Sequence, residues 1–370
     1  MRINIADPVF QTTLFIIFFA LSVVLTLKKD TKPYEMDHEH TDELKGVAIL
    51  MVVFSHVGYF LANDARFLFP LSIAAGVGVN IFLFLSGFGL TSSGLNAPKT
   101  WKEFYVKRLR IIFVPMWVVL AAVLALDYFL LGKTYELSVI IKSFLGYFPV
   151  ADIYTSINSA LWYFTFILFY YLMFPIVFRR DRPLFSAFIV LLLGYVLTRL
   201  SLPVTKDLLK LYQLHILLFP LGMVFAWLNT KEPGVRFQEV LLKFFHKPML
   251  AGVTRYLIVA GLLFAFGYTA VHSGVGKGVM AEQLSSIVTM LVLIAAFLLK
   301  NVHSELLVIF GKYSYEIYLL HWPIMYRHDF IYKYLPASFG TLFYLVFFVL
   351  VGIVLNKFVR KVLEPGAVKK

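Results

Sequence analysis

The 370-residue chain contains no cysteine, which excludes a disulfide framework, thiolate catalysis and any Cys-ligated zinc or iron–sulfur site. It is also poor in charge, with 15% Asp, Glu, Lys and Arg against about 25% in a soluble globular domain. Long Gly/Ser/Pro linkers, low-complexity tracts and internal repeats are lacking, so nothing divides the chain into separate units or marks a solenoid. Acidic residues are the scarcer sign, 21 against 34 basic, giving a net charge of +13. What fills the sequence is apolar: 60% hydrophobic, 17% aromatic, mean hydropathy +0.81. So much apolar side chain with so little charge to cover it would leave a water-soluble fold with large exposed patches. The composition therefore points to a polytopic membrane protein.

Stretches of the length one span needs, roughly 20 residues, recur eleven times, near 9–27, 46–63, 70–91, 111–131, 159–178, 184–202, 211–229, 252–272, 282–299, 306–326 and 338–359. The expected fold is all-α, a polytopic helical bundle of about eleven transmembrane helices. If the first span runs from outside to inside, segments 28–45, 92–110, 179–183, 230–255, 300–312 and 357–370 face the cytoplasm and carry 24 of the 34 basic residues. The positive-inside rule then sets the N-terminus outside and the C-terminus inside. The net charge thus reports topology rather than a nucleic-acid partner. Arg2 alone precedes the first span, Lys28, Lys29 and Lys32 follow it, and no small-residue cleavage pattern intervenes. This reads as a retained anchor rather than a signal peptide.

Ionisable groups inside spans are costly, so each is a functional candidate. The second span opens Asp42-Glu43-Leu44-Lys45-Gly46 and reaches Ser55-His56. Asp42 resembles a helix N-cap. Lys45 and His56 are eleven positions apart, three turns plus about 20°, so they share a helix face and lie roughly 16 Å apart along the axis. A cation at the cytoplasmic mouth and an imidazole deep inside suit a substrate with an anionic head and a reactive group at mid-membrane, the shape of an acyl-coenzyme A thioester. Histidine accepts and returns a proton near neutrality. A packing histidine with a snorkelling lysine fits the same spacing.

Lys99, Lys102, Lys107, Arg108 and Arg110 precede a span. Arg108 and Arg110 are the candidates to hold coenzyme phosphates, and an ordinary positive-inside flank is the other reading. The tenth span, Gly311-Lys312-Tyr313-Ser314-Tyr315-Glu316 through His321-Trp322-Pro323, is too polar for a lipid-facing helix and is expected to line a polar cavity. Ser314 and His321 fall on one face, with Glu316 about 140° around from His321. In the third span, Gly76, Gly78, Asn80, Ser86, Gly87 and Gly89 permit close helix approach. Ser86 lacks the preceding glycine of a nucleophile elbow, so a serine hydrolase is not expected. His38-Glu39-His40 with Asp42 and Glu43 reads as a solvated loop rather than a metal site, and no metal is expected. Asp127, Trp162, Arg199, His215 and Glu282 have no spacing signature; Asp127 and Trp162 are placed to line an acceptor side, or to pair or anchor at the interface.

Several blocks in order resemble the acyltransferase 3 family of multispan membrane acyltransferases. They are Asp42-Glu43-Leu44-Lys45-Gly46-Val47-Ala48-Ile49 through His56, Gly78 to Phe88, Lys107-Arg108-Leu109-Arg110 before Pro115, Leu161-Trp162-Tyr163, and Gly311 to Pro323. The resemblance covers about 42–360. It divides the chain into an extra N-terminal span and linker (1–41), a membrane domain (42–360) and a cytoplasmic tail (361–370), the first span exceeding the ten-helix core usual in that family. Lys45 stands where the family usually has Arg, Asn80 replaces the usual acid, and Arg110 lies five residues before Pro115 where three is commoner. The resemblance implies His56 as the essential histidine. It implies Lys45, Arg108 and Arg110 as the acyl-donor site, with Asp42, Asn80, Ser86, Trp162, Glu316 and His321 as substrate-site candidates. It implies transfer of an acyl group, usually acetyl, from cytoplasmic acetyl-CoA or another acyl-CoA to a hydroxyl of an extracytoplasmic carbohydrate or lipid-linked glycan, in the cytoplasmic membrane of a bacterium or archaeon. The competing expectation is a proton-coupled transporter or flippase with His56, Glu316 and His321 as a relay.

Overall fold

Apolar runs without interior charge can satisfy their backbone groups in lipid only as helices or closed barrels. The computed structural model of the chain is helical almost throughout. It describes residues 3–29, 34–61, 66–97, 100–152, 156–200, 209–230, 239–240, 243, 250–272 and 278–363. Lys99, Lys32 and most of the tail expected at 361–370 lie outside these residues.

In chain order the elements are α1 (Pro8–Leu25), β1 (Leu27–Lys29), α2 (His38–Val57), α3 (Ala75–Asn96), α4 (Trp101–Arg108), a π-helical turn (Leu109–Phe113), α5 (Val114–Leu131), α6 (Leu137–Phe144), α7 (Trp162–Val177), α8 (Pro183–Leu197) and α9 (Leu209–His215). There follow α10 (Leu218–Asn229), α11 (Leu250–Val271), α12 (Val279–Leu299), β2 (Val302–Ser304), α13 (Glu305–Lys312), α14 (Ser314–Arg327) and α15 (Ala337–Leu363). Among the described residues nine helical stretches are long and apolar enough to cross a membrane. The other two of the eleven expected take shorter forms. The stretch near 184–202 is helical only over Pro183–Leu197, and the one near 306–326 is broken at Tyr313 into α13 and α14.

The second span begins earlier than expected. Its N-cap is Asp37, whose side chain accepts from the His40 backbone N–H at 2.9 Å. His38 to Thr41 therefore fill the first turn, and Asp42 sits inside the helix, where it accepts from Lys45 Nζ at 3.0 Å. Both aspartates are good caps by residue type; Asp37 takes the role because the helix continues one turn toward the N-terminus.

α2 and α3 form the axis of the bundle. α2 packs on α3, α13 and α14, and α3 packs on α10 and α12. These contacts are close because glycines remove the Cβ atoms between them. A Cβ on Gly46 would collide with the Leu307 carbonyl, one on Gly87 with that of Phe219, and one on Gly222 with that of Phe84. Of the third-span glycines, Gly78 and Gly87 serve packing, whereas Gly89 has open space beside it.

Each end of the bundle is tied by polar contacts. Where α2 begins, β1 pairs antiparallel with β2, Leu27 opposite Ser304 and Lys29 opposite Val302. Lys28 bonds Glu305 at 3.0 Å, and this hydrogen bond holds the Glu305 carboxyl below its ordinary range. Buried Glu43 pairs with Lys300 and accepts from the Ser304 N–H at 2.8 Å. Where α2 ends, buried Asp127 of α5 accepts from Arg327 Nε at 3.0 Å, from His328 Nε2 at 2.9 Å and from Tyr135 Oη at 2.6 Å. Arg327 also donates to the carbonyls of Ser156 and Ile157 at 3.3 and 2.6 Å. α1 is held to the bundle by Phe15 and Phe19 against Phe54 and by Gln11 against Ser338. The outer helices α1, α8 and α11 leave apolar faces exposed, as lipid requires.

Candidate active site

The helices enclose a cavity of about 810 Å³. On α2 its wall includes Lys45, Val52, Ser55 and His56, with Tyr59 in the turn just beyond the helix, so the face shared by Lys45 and His56 is the face that borders the cavity. At 1.5 Å per residue the cavity therefore follows α2 for roughly 16 Å. α14 contributes Ser314, Tyr315, Tyr318 and Trp322.

Among its lining residues Lys45 and Arg108 are the cations. The Arg108 guanidinium lies 5.1 Å from the centre of the Tyr171 ring and 5.6 Å from that of Phe104, a geometry that steadies a cation without neutralising it. Arg110 is exposed and does not line the cavity. Two positions apart on a helix means about 200° of rotation, so the two arginines cannot share a face. The π-helical turn begins immediately after Arg108. Pro115 cannot donate a backbone hydrogen bond and would crowd the Ile111 carbonyl in a regular helix. The turn's Ile112 carbonyl accepts from Tyr315 Oη at 2.6 Å, which fastens it to α14.

The other end of the α2 face holds two imidazoles in contact. His56 Nδ1 and His321 Nε2 are 2.7 Å apart, with ring planes 6° from parallel. His321 Nδ1 lies 3.1 Å from the Ile317 carbonyl and 2.9 Å from that of Tyr318. Carbonyl oxygens only accept, so Nδ1 of His321 carries the proton and its Nε2 is an acceptor. His56 Nδ1–H must then donate to it, which leaves the His56 lone pair on Nε2. A hydrogen bond on one ring nitrogen thus decides the chemistry of the other. Among the described residues nothing bonds His56 Nε2, and the ring borders the cavity. Trp322 meets the His56 ring edge-on at 4.8 Å between centroids.

The remaining candidates are distributed as follows. Asp42 is bonded to Lys45. Ser86 lines the cavity and lies 3.4 Å from Tyr171 Oη. Trp162 lines the cavity and stacks on His215, 6.0 Å between centroids. Asn80 is buried behind the wall, between His215 and Ser286. Glu316 turns away from both histidines and accepts from Asn356 Nδ2 of α15 at 2.8 Å, on the side its angular offset from His321 predicts. Asp127, one candidate for the acceptor side, serves instead as the partner of Arg327. Tyr171, Tyr318 and His215 also belong to the wall; Tyr318 falls within the Gly311-to-Pro323 block, His215 has no spacing signature, and Tyr171 carries no motif, so only its place on a cavity-facing helix identifies it.

A family model described as an acyltransferase domain matches residues 41–357. No curated protein and no solved structure gives a significant match.

Proposed function

This chain belongs to the acyltransferase 3 family of membrane acyltransferases, and on that premise we propose that it moves an acyl group, acetyl in the first instance, from cytoplasmic acyl-CoA to a hydroxyl of an extracytoplasmic carbohydrate or lipid-linked glycan. The observation that carries this reading is the tautomer-fixed His56, whose Nε2 lone pair borders the same cavity as Lys45 and Arg108. The two cations are suited to the coenzyme phosphates, and the thioester would then lie along the face of α2 toward His56. His56 Nε2 serves there either as base toward the attacking hydroxyl or as nucleophile toward the thioester. His321 keeps that nitrogen unprotonated in both cases. The relay of a proton-coupled transporter loses its third member, because Glu316 faces Asn356 on α15.

The test is binding and turnover of radiolabelled acetyl-CoA by the purified protein. Saturable binding should be weakened by Arg108→Ala and unaffected by Arg110→Ala, and release of CoA should be abolished by His56→Ala. Absence of binding at donor concentrations well above the cellular range would remove the donor assignment. Equal effects of the two arginine variants would remove the site drawn here.

A further inference from the structure

The cavity contains a second imidazole that the steps above leave idle. His215, the last residue of α9, is buried and lines the wall. Its Nδ1 is 2.6 Å from Asn80 Oδ1. Asn80 Nδ2 donates to Ser286 Oγ at 2.9 Å, and that hydroxyl donates to the Gln283 carbonyl at 3.0 Å. Because the last carbonyl can only accept, every proton in the chain has one place. Ser286 gives to Gln283 and receives from the Asn80 amide, whose oxygen is left to accept His215 Nδ1–H. His215 is thereby held in the same tautomer as His56, with its lone pair on Nε2. Nothing among the described residues bonds that nitrogen. Trp162 stacks with the ring, planes 25° apart. Gly76 keeps the space beside it open, since a Cβ there would reach 4.0 Å from His215 Cε1. A three-residue network that fixes a buried lone pair toward a cavity is arranged for a donor that arrives with a ligand.

We propose that acyl transfer in this protein uses two histidines, His56 to receive the acyl group and His215 to take the proton from the hydroxyl that finally accepts it. The proposal rests on the acyl-CoA reading above. In the first step His56 Nε2 attacks the thioester carbonyl. The N–C bond forms, the C–S bond breaks, CoA leaves as thiolate, and the Nδ1 proton of His56 passes to His321 Nε2. In acylated His56 the Nε2 is taken up by the acyl bond and the Nδ1 lone pair is engaged by the proton now on His321 Nε2, so neither nitrogen can deprotonate an alcohol in the cavity and the second step needs another base. The acceptor oxygen attacks the acyl carbon as its proton moves to His215 Nε2. The C–N bond breaks, and His56 regains its Nδ1 proton from His321. The proton on His215 balances the thiolate released earlier, so the net products are ester and CoA thiol.

The experiment follows labelled acetyl-CoA on the full chain in lipid nanodiscs, with water and glycerol as the hydroxyl probes. The unaltered protein should release about one equivalent of CoA in a burst and carry the label on His56, then lose it slowly. His215→Ala and His215→Gln, the latter retaining a hydrogen-bond donor for Asn80, should form the labelled enzyme within twofold of the normal rate and hold it at least tenfold longer. Loss of label as fast as in the unaltered protein would overturn the assignment, as would loss of the burst in both variants. Steady CoA release without a burst would place the whole reaction on His56 as a single displacement and would also overturn it. No CoA release at all from the unaltered protein would instead remove the acyl-CoA reading on which the proposal stands.

Discussion

At the scale of single residues, the proposed chemistry turns on which nitrogen of each histidine holds a proton. His321 touches backbone carbonyls on one side and His56 on the other, so it acts through His56 and is a positioning residue. His321→Ala should leave acetyl-CoA binding intact and slow CoA release by about 10²-fold or more, the size of a lost acid–base contribution. His321→Gln, whose side-chain oxygen can still accept the hydrogen bond from His56 Nδ1–H but cannot take up its proton, should recover part of the rate; equal loss in both variants would mean that the proton transfer to His321, and not the hydrogen bond, carries the effect. Toward the same end of α2, Asp127 is fully buried and its pairing with Arg327 leaves that side chain only 7% exposed. Removing one partner of a buried ion pair strands the other, at about 3–5 kcal/mol. Asp127→Ala should lower the thermal midpoint accordingly, and an unchanged midpoint would show that Arg327 is held by the Ser156 and Ile157 carbonyls alone.

At the scale of elements, two features place the site. One is the close approach of α3 to α10, where Gly87 and Gly222 face each other's backbones. Gly222→Val must push the helices apart, which overpacking series put at about 1–3 kcal/mol. Gly261→Val on α11, where a side chain meets nothing within 4 Å, is the matched control. A similar loss in both would show general helix destabilisation rather than contact between backbones. The other feature is the π-helical turn after Arg108. It joins α4 to the membrane-crossing α5 while its Ile112 carbonyl is fastened to Tyr315 on α14, so the part of the cavity lined by Arg108 is tied to the helix that carries His321.

At the scale of the whole molecule, the bundle has two chemically different ends, and the excess of basic residues in segments such as 92–110 predicts which of them faces the cytoplasm. Because the chain has no cysteine, one introduced thiol reports one position. Ser138→Cys on α6 should react with a membrane-impermeant maleimide in intact cells, and Lys102→Cys on α4 only after permeabilisation. The reverse pattern would invert the topology and with it the side from which donor is taken.

Composition and a 100° repeat depend only on local order, so the membrane class, the helical architecture and the shared helix face of Lys45 and His56 were legible without the fold, whereas that this face borders a cavity was not. The sequence also separated Glu316 from His321 by angle alone. It did not determine where α2 begins, since Asp37 and Asp42 are equivalent caps until the chain is folded, nor that the span near 306–326 breaks at Tyr313. It took the packed helices to show which of Arg108 and Arg110 borders the cavity, that His321 sets the tautomer of His56 from 265 residues away in sequence, and that Asn80 and Ser286 do the same for His215. Those are contacts between distant helices, and a proton's position on an imidazole is fixed by the partner it meets in space.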